Sequence, residues 1–111
     1  MSPAFCAAVL LASSTATAEL SVLRDAAREA LQPSCGRCHD GARPTARRAA
    51  LRIFDLREGD WSARVTSVQM DHMVQRFESF GMPEADRTTV QRYLDAERAR
   101  RFSPTRAPAP H

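Results

Sequence analysis

The chain has 111 residues, a length that accommodates one small domain and excludes a second. Its 16 basic residues are all arginines and are interspersed with 13 acids, so the net charge of +3 is too small and too evenly spread for a dedicated nucleic-acid-binding protein. A hydrophobic fraction of 43% can build a core, but a core of this size usually needs support from a disulfide, a metal or a cofactor.

Residues 1–18 have the features of a secretory signal peptide. The apolar run over residues 4–12 is far shorter than the roughly 20 residues that span a bilayer, and Ala16-Thr17-Ala18 follows it as a small-residue cleavage pattern. We therefore expect cleavage after Ala18, a periplasmic location and no membrane span in the mature chain. The alternative interpretation of this segment is a buried N-terminal helix.

The first predicted helix of the mature chain covers residues 19–31, and Pro33 is expected to end it. Its apolar residues fall on one face at helical spacing. That face consists of Leu20, Leu23, Ala27, Ala30 and Leu31. Glycine and proline in residues 34–44 predict a compact, turn-rich segment, and a short apolar patch follows over residues 49–56.

A second helix is predicted from Trp61 to Phe80, with Asp60 as its N-cap. His72 projects away from the apolar side of this helix. That side carries Met70, Met73, Val74, Phe77 and Phe80.

A third helix is predicted from near Pro83-Glu84 to Arg101, since proline suits the first turn of a helix. Its apolar edge consists of Val90, Tyr93 and Leu94. Residues 102–111 are proline-rich and are expected to form a disordered tail. No alternating run predicts a strand, so the expected fold class is all-α.

Residues 35–39, Cys-Gly-Arg-Cys-His, match the C-x-x-C-H signature of covalent c-type haem attachment. Two thiols on one turn can add to the two vinyl groups of a porphyrin, and the histidine after the second thiol is placed to bind the iron. We therefore expect one haem, attached through Cys35 and Cys38 and ligated by His39. A thioredoxin-like dithiol is an alternative, but it needs a βαβ context that this sequence does not supply. A zinc site is the other alternative, with ligands Cys35, Cys38, His39 and His72.

The second axial ligand of the iron is expected to be Met82. Met70 and Met73 belong to an apolar helix face, where methionine usually fills a core. Met82 lies outside the predicted helices in Gly81-Met82-Pro83, where glycine frees the backbone and proline stiffens it. Met73 is the next candidate, and His72 is the last because a surface histidine is usually only solvated.

The attachment motif, the Gly-Met-Pro segment at residues 81–83 and the later run Val90-Gln91-Arg92-Tyr93-Leu94 together resemble a small class I cytochrome c domain. The similarity covers the mature chain to about residue 98, within a domain that we assign to residues 19–101. The resemblance implies a cytochrome c-like fold of three to four helices around one haem, with the first and last helices crossing through their apolar edges. It also implies a proline carbonyl that orients the proximal histidine, and Pro44 is the nearest candidate.

The expected function is periplasmic electron transfer, not enzymatic catalysis. His39 and Met82 would hold iron at fixed coordination in both oxidation states, and the partners would be redox proteins such as a dehydrogenase, an oxidase or another cytochrome. The alternative is a haem sensor, a small haem enzyme or an accessory subunit of a dehydrogenase, with an open or weakly held distal position. An enzyme would need a distal acid–base group, for which His72 is the candidate.

Several arginines follow the attachment motif closely. They could steer an acidic partner, neutralise haem propionates or simply form a solvated face. These residues are Arg43, Arg47, Arg48 and Arg52.

Overall fold

The computed structural model describes the backbone of residues 3–102 and the side chains of residues 16–102. Within this range the chain forms helices and no strand, which confirms the expected all-α class. The helices are α1 (Pro3–His39), α2 (Arg48–Ile53), α3 (Ser67–Arg76) and α4 (Glu84–Arg101). The predicted tail lies outside the described residues except for Phe102, which is exposed.

The beginning of α1 lies upstream of the expected cleavage point after Ala18. Residues 16–19 are exposed, and the first described side chain of α1 that packs against the core is Leu20. The signal peptide stays a prediction. No helix in the described part of the chain combines the length and the apolar character that crossing a membrane requires.

The prediction that Pro33 ends the first helix is wrong, because α1 continues to His39. Proline inside a helix removes the hydrogen bond to the carbonyl four residues earlier, here that of Glu29. Pro33 and Glu29 are both exposed, so water can serve this carbonyl. Leu31 and Cys35, on either side of the proline, pack in the core and hold the helix in place. The attachment motif therefore forms the end of a long helix rather than part of a turn-rich segment.

The core is built around α1 and α4, the helix pair with the most extensive contact. Ala27 and Leu31 of α1 are fully buried, and all of the apolar edge predicted for α4 is buried as well. The remaining residues of the predicted α1 face are partly buried against this core. Burial of each large aliphatic side chain contributes about 2 kcal/mol. The first and last helices thus pack through the apolar edges that the sequence indicates.

The second predicted helix is shorter than expected, since α3 begins at Ser67 and ends at Arg76. Its N-cap is Thr66, not Asp60. The Thr66 hydroxyl accepts a hydrogen bond from the backbone N–H of Gln69 (3.1 Å), and the Gln69 side chain accepts one from the Thr66 backbone N–H (2.9 Å). This reciprocal capping box fixes the start of the helix.

Contacts with α1 and α4 hold the segment before α3 in turns. Trp61 is buried, and its indole N–H donates to the carbonyl of Arg24 in α1 (3.1 Å). The guanidinium of Arg101 in α4 donates to the carbonyls of Ser62 and Val65. Tertiary contacts therefore override the local helical propensity of this segment.

After α3, the chain forms a Schellman motif that places Met82 in the core. Gly81 has a φ of 66°, its N–H donates to the carbonyl of Glu78 (3.0 Å), and the N–H of Met82 donates to the carbonyl of Phe77 (3.1 Å). This pattern requires a left-handed residue, which favours glycine. Met82 and Phe77 are both buried, as the hydrophobic pairing of this motif predicts. Phe80, predicted on the apolar face, is instead 51% exposed.

Candidate functional site

The two thiols of the attachment motif lie on the last turns of α1. Cys35 and Cys38 are free and half-buried, and Cys35 packs against the core. Burial, with a smaller contribution from Cys38, raises the pKa of the Cys35 thiol to about 11. The attacking cysteine of a thiol–disulfide oxidoreductase has a lowered pKa instead. The raised pKa of Cys35 therefore disfavours the dithiol alternative.

His39 directly follows the second thiol, and its imidazole lies flat against the ring of Phe54, with the ring centroids 3.7 Å apart. Nδ1 donates a hydrogen bond to the Phe54 carbonyl oxygen (3.1 Å). Burial lowers the pKa of His39 and outweighs the hydrogen bonds to the backbone of Phe54 and Ala50, while the charge of Arg76 lowers it further. The imidazole is therefore neutral near pH 7. Because a carbonyl only accepts, Nδ1 carries the proton, and Nε2 keeps the lone pair that a metal binds.

The segment after α2 holds the backbone of His39 and the loop that follows it. The backbone N–H of Leu56 donates to the His39 carbonyl (2.7 Å), and the Asp55 carboxylate accepts from the N–H of Gly41 (2.9 Å). Asp55 is buried. Burial raises its pKa, but hydrogen bonds from the backbone of Gly41 and Arg57 and the charge of Arg57 bring it below its ordinary value. Asp55 therefore stays ionised and fixes the loop that follows the motif.

The expectation that Pro44 supplies the orienting carbonyl is wrong. Pro44 is exposed, and the Phe54 carbonyl orients the histidine instead. The sequence did not point to Phe54 or Asp55, because the groups they hold in the site, His39 and Gly41, lie 15 and 14 residues away along the chain. One signal was present: Asp55 interrupts the apolar patch at residues 49–56, and a carboxylate buried in such a patch must find partners.

The candidate distal ligands differ in burial and in their polar contacts. Met70, Met73 and Met82 are 0%, 8% and 4% exposed, whereas His72 is exposed on α3. The Met70 sulfur accepts a hydrogen bond from Nε of Arg98 (3.5 Å), so this sulfur already has a polar partner. Met73 and Met82 keep their sulfurs in the core with no hydrogen bond among the described residues. Met82 shares this core with Cys35, which packs against it.

The four ligands of the alternative zinc site do not come together in the described part of the chain. Among the described side chains, no group of three or more His, Cys, Asp or Glu is placed to hold a metal ion, and His72 is exposed. A covalently bound haem would not need such convergence, since Cys35 and Cys38 would bond to the porphyrin and, of these four residues, His39 alone would bind the iron. The half-buried thiols, the neutral imidazole and the buried methionines fit the donor set of a covalently bound haem.

Comparison of the chain with protein-family models, with curated proteins and with solved structures gives no match in any of the three. The functional assignment therefore depends on the residues and geometry of this site.

Proposed function

We propose that the protein is a periplasmic monohaem c-type cytochrome that carries single electrons between redox proteins. The observation that carries this proposal is the geometry of His39: a half-buried imidazole, placed directly after two thiols, with Nδ1 hydrogen-bonded to the Phe54 carbonyl. Bound haem would supply one-electron iron chemistry. Cys35 and Cys38 would attach it, and His39 and Met82 would hold its iron.

The proximal side is supported by the hydrogen bonds around His39. A metal-binding histidine usually donates its other ring N–H to a carbonyl or a carboxylate, which fixes the tautomer and raises the basicity of the ligating nitrogen. The Phe54 carbonyl has this role, while Leu56 holds the histidine backbone. A ligand fixed at both ring and backbone keeps one orientation in both oxidation states, which is what rapid electron transfer requires.

The distal side is supported by the turn that ends in Met82. The Schellman motif at Gly81 fixes the Met82 backbone, and the side chain is directed into the apolar core. A thioether ligand stabilises ferrous iron and raises the reduction potential, and burial away from water acts in the same direction. His72, the candidate acid–base group of a haem enzyme, is exposed, so the alternative with a catalytic distal side has less support.

The absorption spectrum tests this proposal. The protein is produced in a host with c-type haem maturation, and spectra are recorded in the oxidised state and in the reduced state under carbon monoxide. We expect a methionine-to-iron charge-transfer band in the oxidised protein and no binding of carbon monoxide by the reduced protein. The exposed variant His72→Gln serves as the control and should give the same spectra.

Two other outcomes contradict the proposal in different ways. A haem spectrum without the charge-transfer band, together with immediate binding of carbon monoxide, would indicate an open distal position and favour the sensor or enzyme alternative. Protein that carries no haem would contradict the cytochrome proposal as a whole.

A further inference from the structure

Four rings follow one another from His39 into the interface between α1 and α4. The imidazole and the Phe54 ring are parallel within 3°, with their centroids 3.7 Å apart. Trp61 packs against Phe54 at a steep angle (64°, centroids 5.6 Å apart), and Tyr93 of α4 lies 5.6 Å from Trp61 at 51°. Steep angles at these distances are favoured by aromatic pairs. We call Phe54, Trp61 and Tyr93 the aromatic row.

Hydrogen bonds fix the aromatic row at its inner end. Trp61 is 1% exposed, and its indole N–H donates to the carbonyl of Arg24 in α1 (3.1 Å). Tyr93 is buried as well, and its hydroxyl shares a hydrogen bond with the hydroxyl of Ser62 (2.5 Å). A buried donor that leaves its partner finds no water to replace it, so such bonds hold one orientation. The helices α1 and α4 therefore keep the Trp61 ring in place.

Phe54 connects this fixed ring to His39. The side chain of Phe54 is apolar, so ring contacts rather than hydrogen bonds orient it, while its carbonyl accepts the hydrogen bond from Nδ1 of His39 (3.1 Å). Phe54 also ends α2 in an extended conformation, with its N–H donating to the Ala50 carbonyl (3.3 Å). The ring that faces the imidazole and the carbonyl that holds it thus belong to one residue, which Trp61 supports.

The imidazole needs both contacts to keep one plane. A single hydrogen bond fixes the position of Nδ1 but leaves the ring free to tilt about that bond, and His39 is only half-buried. A parallel ring against one face removes this tilt, because tilting drives the imidazole into Phe54 on one side and opens a gap on the other. The plane of His39 therefore depends on the plane of Phe54.

We propose that Trp61 is a positioning residue that sets the plane of the His39 imidazole by way of the Phe54 ring. This role rests on the proposed function, since the plane matters where His39 binds iron. In a haem protein, the direction of the imidazole plane determines how the π orbital of the ring overlaps with the iron d orbitals, and contacts that orient a ligand tune the metal. The aromatic row would link the packing of α1 against α4 to the electronic state of the iron.

Two substitutions of Trp61 and one control test this role. Trp61→Leu removes the ring and the indole N–H, whereas Trp61→Phe keeps a ring that can pack against Phe54. Val65→Ala is the matched control, because Val65 is 1% exposed in the same segment before α3 and contributes no ring to the aromatic row. Circular dichroism and urea unfolding give the helical content and the stability of each variant, so that effects on the fold are measured separately.

The first measurement follows the ring contact by nuclear Overhauser effects in the reduced, diamagnetic haem protein. We expect Trp61→Leu to lose the cross-peaks between the ring protons of His39 and Phe54 and to shift the His39 resonances. Trp61→Phe should restore most of both, and Val65→Ala should change neither. Unchanged cross-peaks in Trp61→Leu would overturn the proposal. Equal losses in Trp61→Leu and Val65→Ala would show a general loosening of the core and would also overturn it.

Trp61→Phe keeps the test decisive if Trp61→Leu does not fold. This variant still lacks the indole N–H that donates to the Arg24 carbonyl. Its His39 resonances should therefore shift more than those of Val65→Ala. A shift no larger than in the control would overturn the proposal.

The second measurement is electron paramagnetic resonance of the oxidised protein. The g values of low-spin ferric haem depend on the orientation of an axial imidazole, so we expect Trp61→Leu to shift and broaden them. A haem-loaded protein whose g values ignore Trp61 would contradict the positioning role alone. A folded chain without haem would contradict the proposed function, but a ring contact that still depends on Trp61 in that chain would support the positioning of His39.

Discussion

The side chain of His39 is oriented by a carbonyl that lies 15 residues further along the chain. The same segment also holds the His39 backbone through Leu56 and the following loop through Asp55. The local sequence identifies His39 as a site residue, but the orientation of its side chain depends on partners that come close only when the chain folds. Met82, the proposed distal ligand, differs, since the turn that fixes it is encoded by its immediate neighbours.

Substitution of Met82 tests its role as the distal ligand. We expect Met82→Ala to remove the methionine-to-iron charge-transfer band, lower the reduction potential and allow carbon monoxide to bind, because the soft thioether is lost. Optical spectra and a redox titration measure these changes.

Met73→Leu is the matched control, because Met73 is buried in the same core and leucine has a similar volume. This variant should keep the band and lower the free energy of unfolding by less than about 1.5 kcal/mol. The reverse result, with the band lost in the Met73 variant and kept in the Met82 variant, would make α3 the source of the ligand.

Glu97 makes a contribution to the free energy of unfolding that depends on pH. It is 5% exposed and accepts hydrogen bonds from Arg100 (2.9 and 2.7 Å) and Arg101 (2.7 Å). Burial raises the pKa of Glu97, but these hydrogen bonds and the charges of the two arginines outweigh burial and lower it. A carboxylate whose pKa is lowered by folding stabilises the protein above its ordinary pKa of about 4.3, and this stability is lost as the pH falls through the lowered value.

We therefore expect Glu97→Gln to lower the free energy of unfolding by about 2 kcal/mol at pH 7, because hydrogen bonds to a charged group are lost. The difference from the unmodified protein should shrink as the pH is lowered below about 4. Urea unfolding at several pH values measures it. Glu29→Gln, at an exposed position on α1, is the control and should change stability little at any pH. A Glu97 effect that is independent of pH would contradict the assigned ionisation.

At the scale of elements, the sequence predicts α4 and the apolar face of α1 well. Pro83 and the spacing of Val90, Tyr93 and Leu94 are local signals, and the helix they predict matches Glu84–Arg101. The start of α3 also has a local signal, the capping box formed by Thr66 and Gln69. The N-cap predicted from the sequence is Asp60 instead, and that prediction does not use this signal. The turns at residues 60–65 had no such signal, because contacts with Arg24 and Arg101 hold them.

The turn at Gly81 determines where Met82 lies, and its left-handed φ of 66° favours glycine. We expect Gly81→Ala to lower the free energy of unfolding by about 1–2 kcal/mol, since a side chain destabilises this conformation. The charge-transfer band should weaken as well, because the Met82 backbone shifts. Denaturant unfolding and the oxidised spectrum give both values.

Gly59→Ala is the matched control for this turn. Gly59 has no positive φ, and an added Cβ there would meet nothing within 4 Å. This variant should be neutral or slightly stabilising, because alanine restricts the unfolded chain. Equal losses of stability in the two variants would contradict the role of the left-handed turn.

At the scale of the whole molecule, the sequence predicts the all-α class, and α1 packs against α4 as the resemblance implies. The proposed chemistry of the site would depend on a haem that the chain must acquire. A small domain gains stability from anything that binds only its folded state. Covalent haem would supply such stability. We therefore expect the double variant Cys35→Ser and Cys38→Ser to lose most of its helical signal in circular dichroism.

The intact mass of the protein isolated from the periplasm shows whether one haem is covalently attached through Cys35 and Cys38. Extraction with acidified organic solvent precedes the measurement, because it removes haem that is not covalently attached. We expect the mass of a chain that begins at Glu19 plus one haem, and the mass of the chain alone for the double cysteine variant. A chain without haem, or haem that passes into the organic phase, would contradict attachment through Cys35 and Cys38.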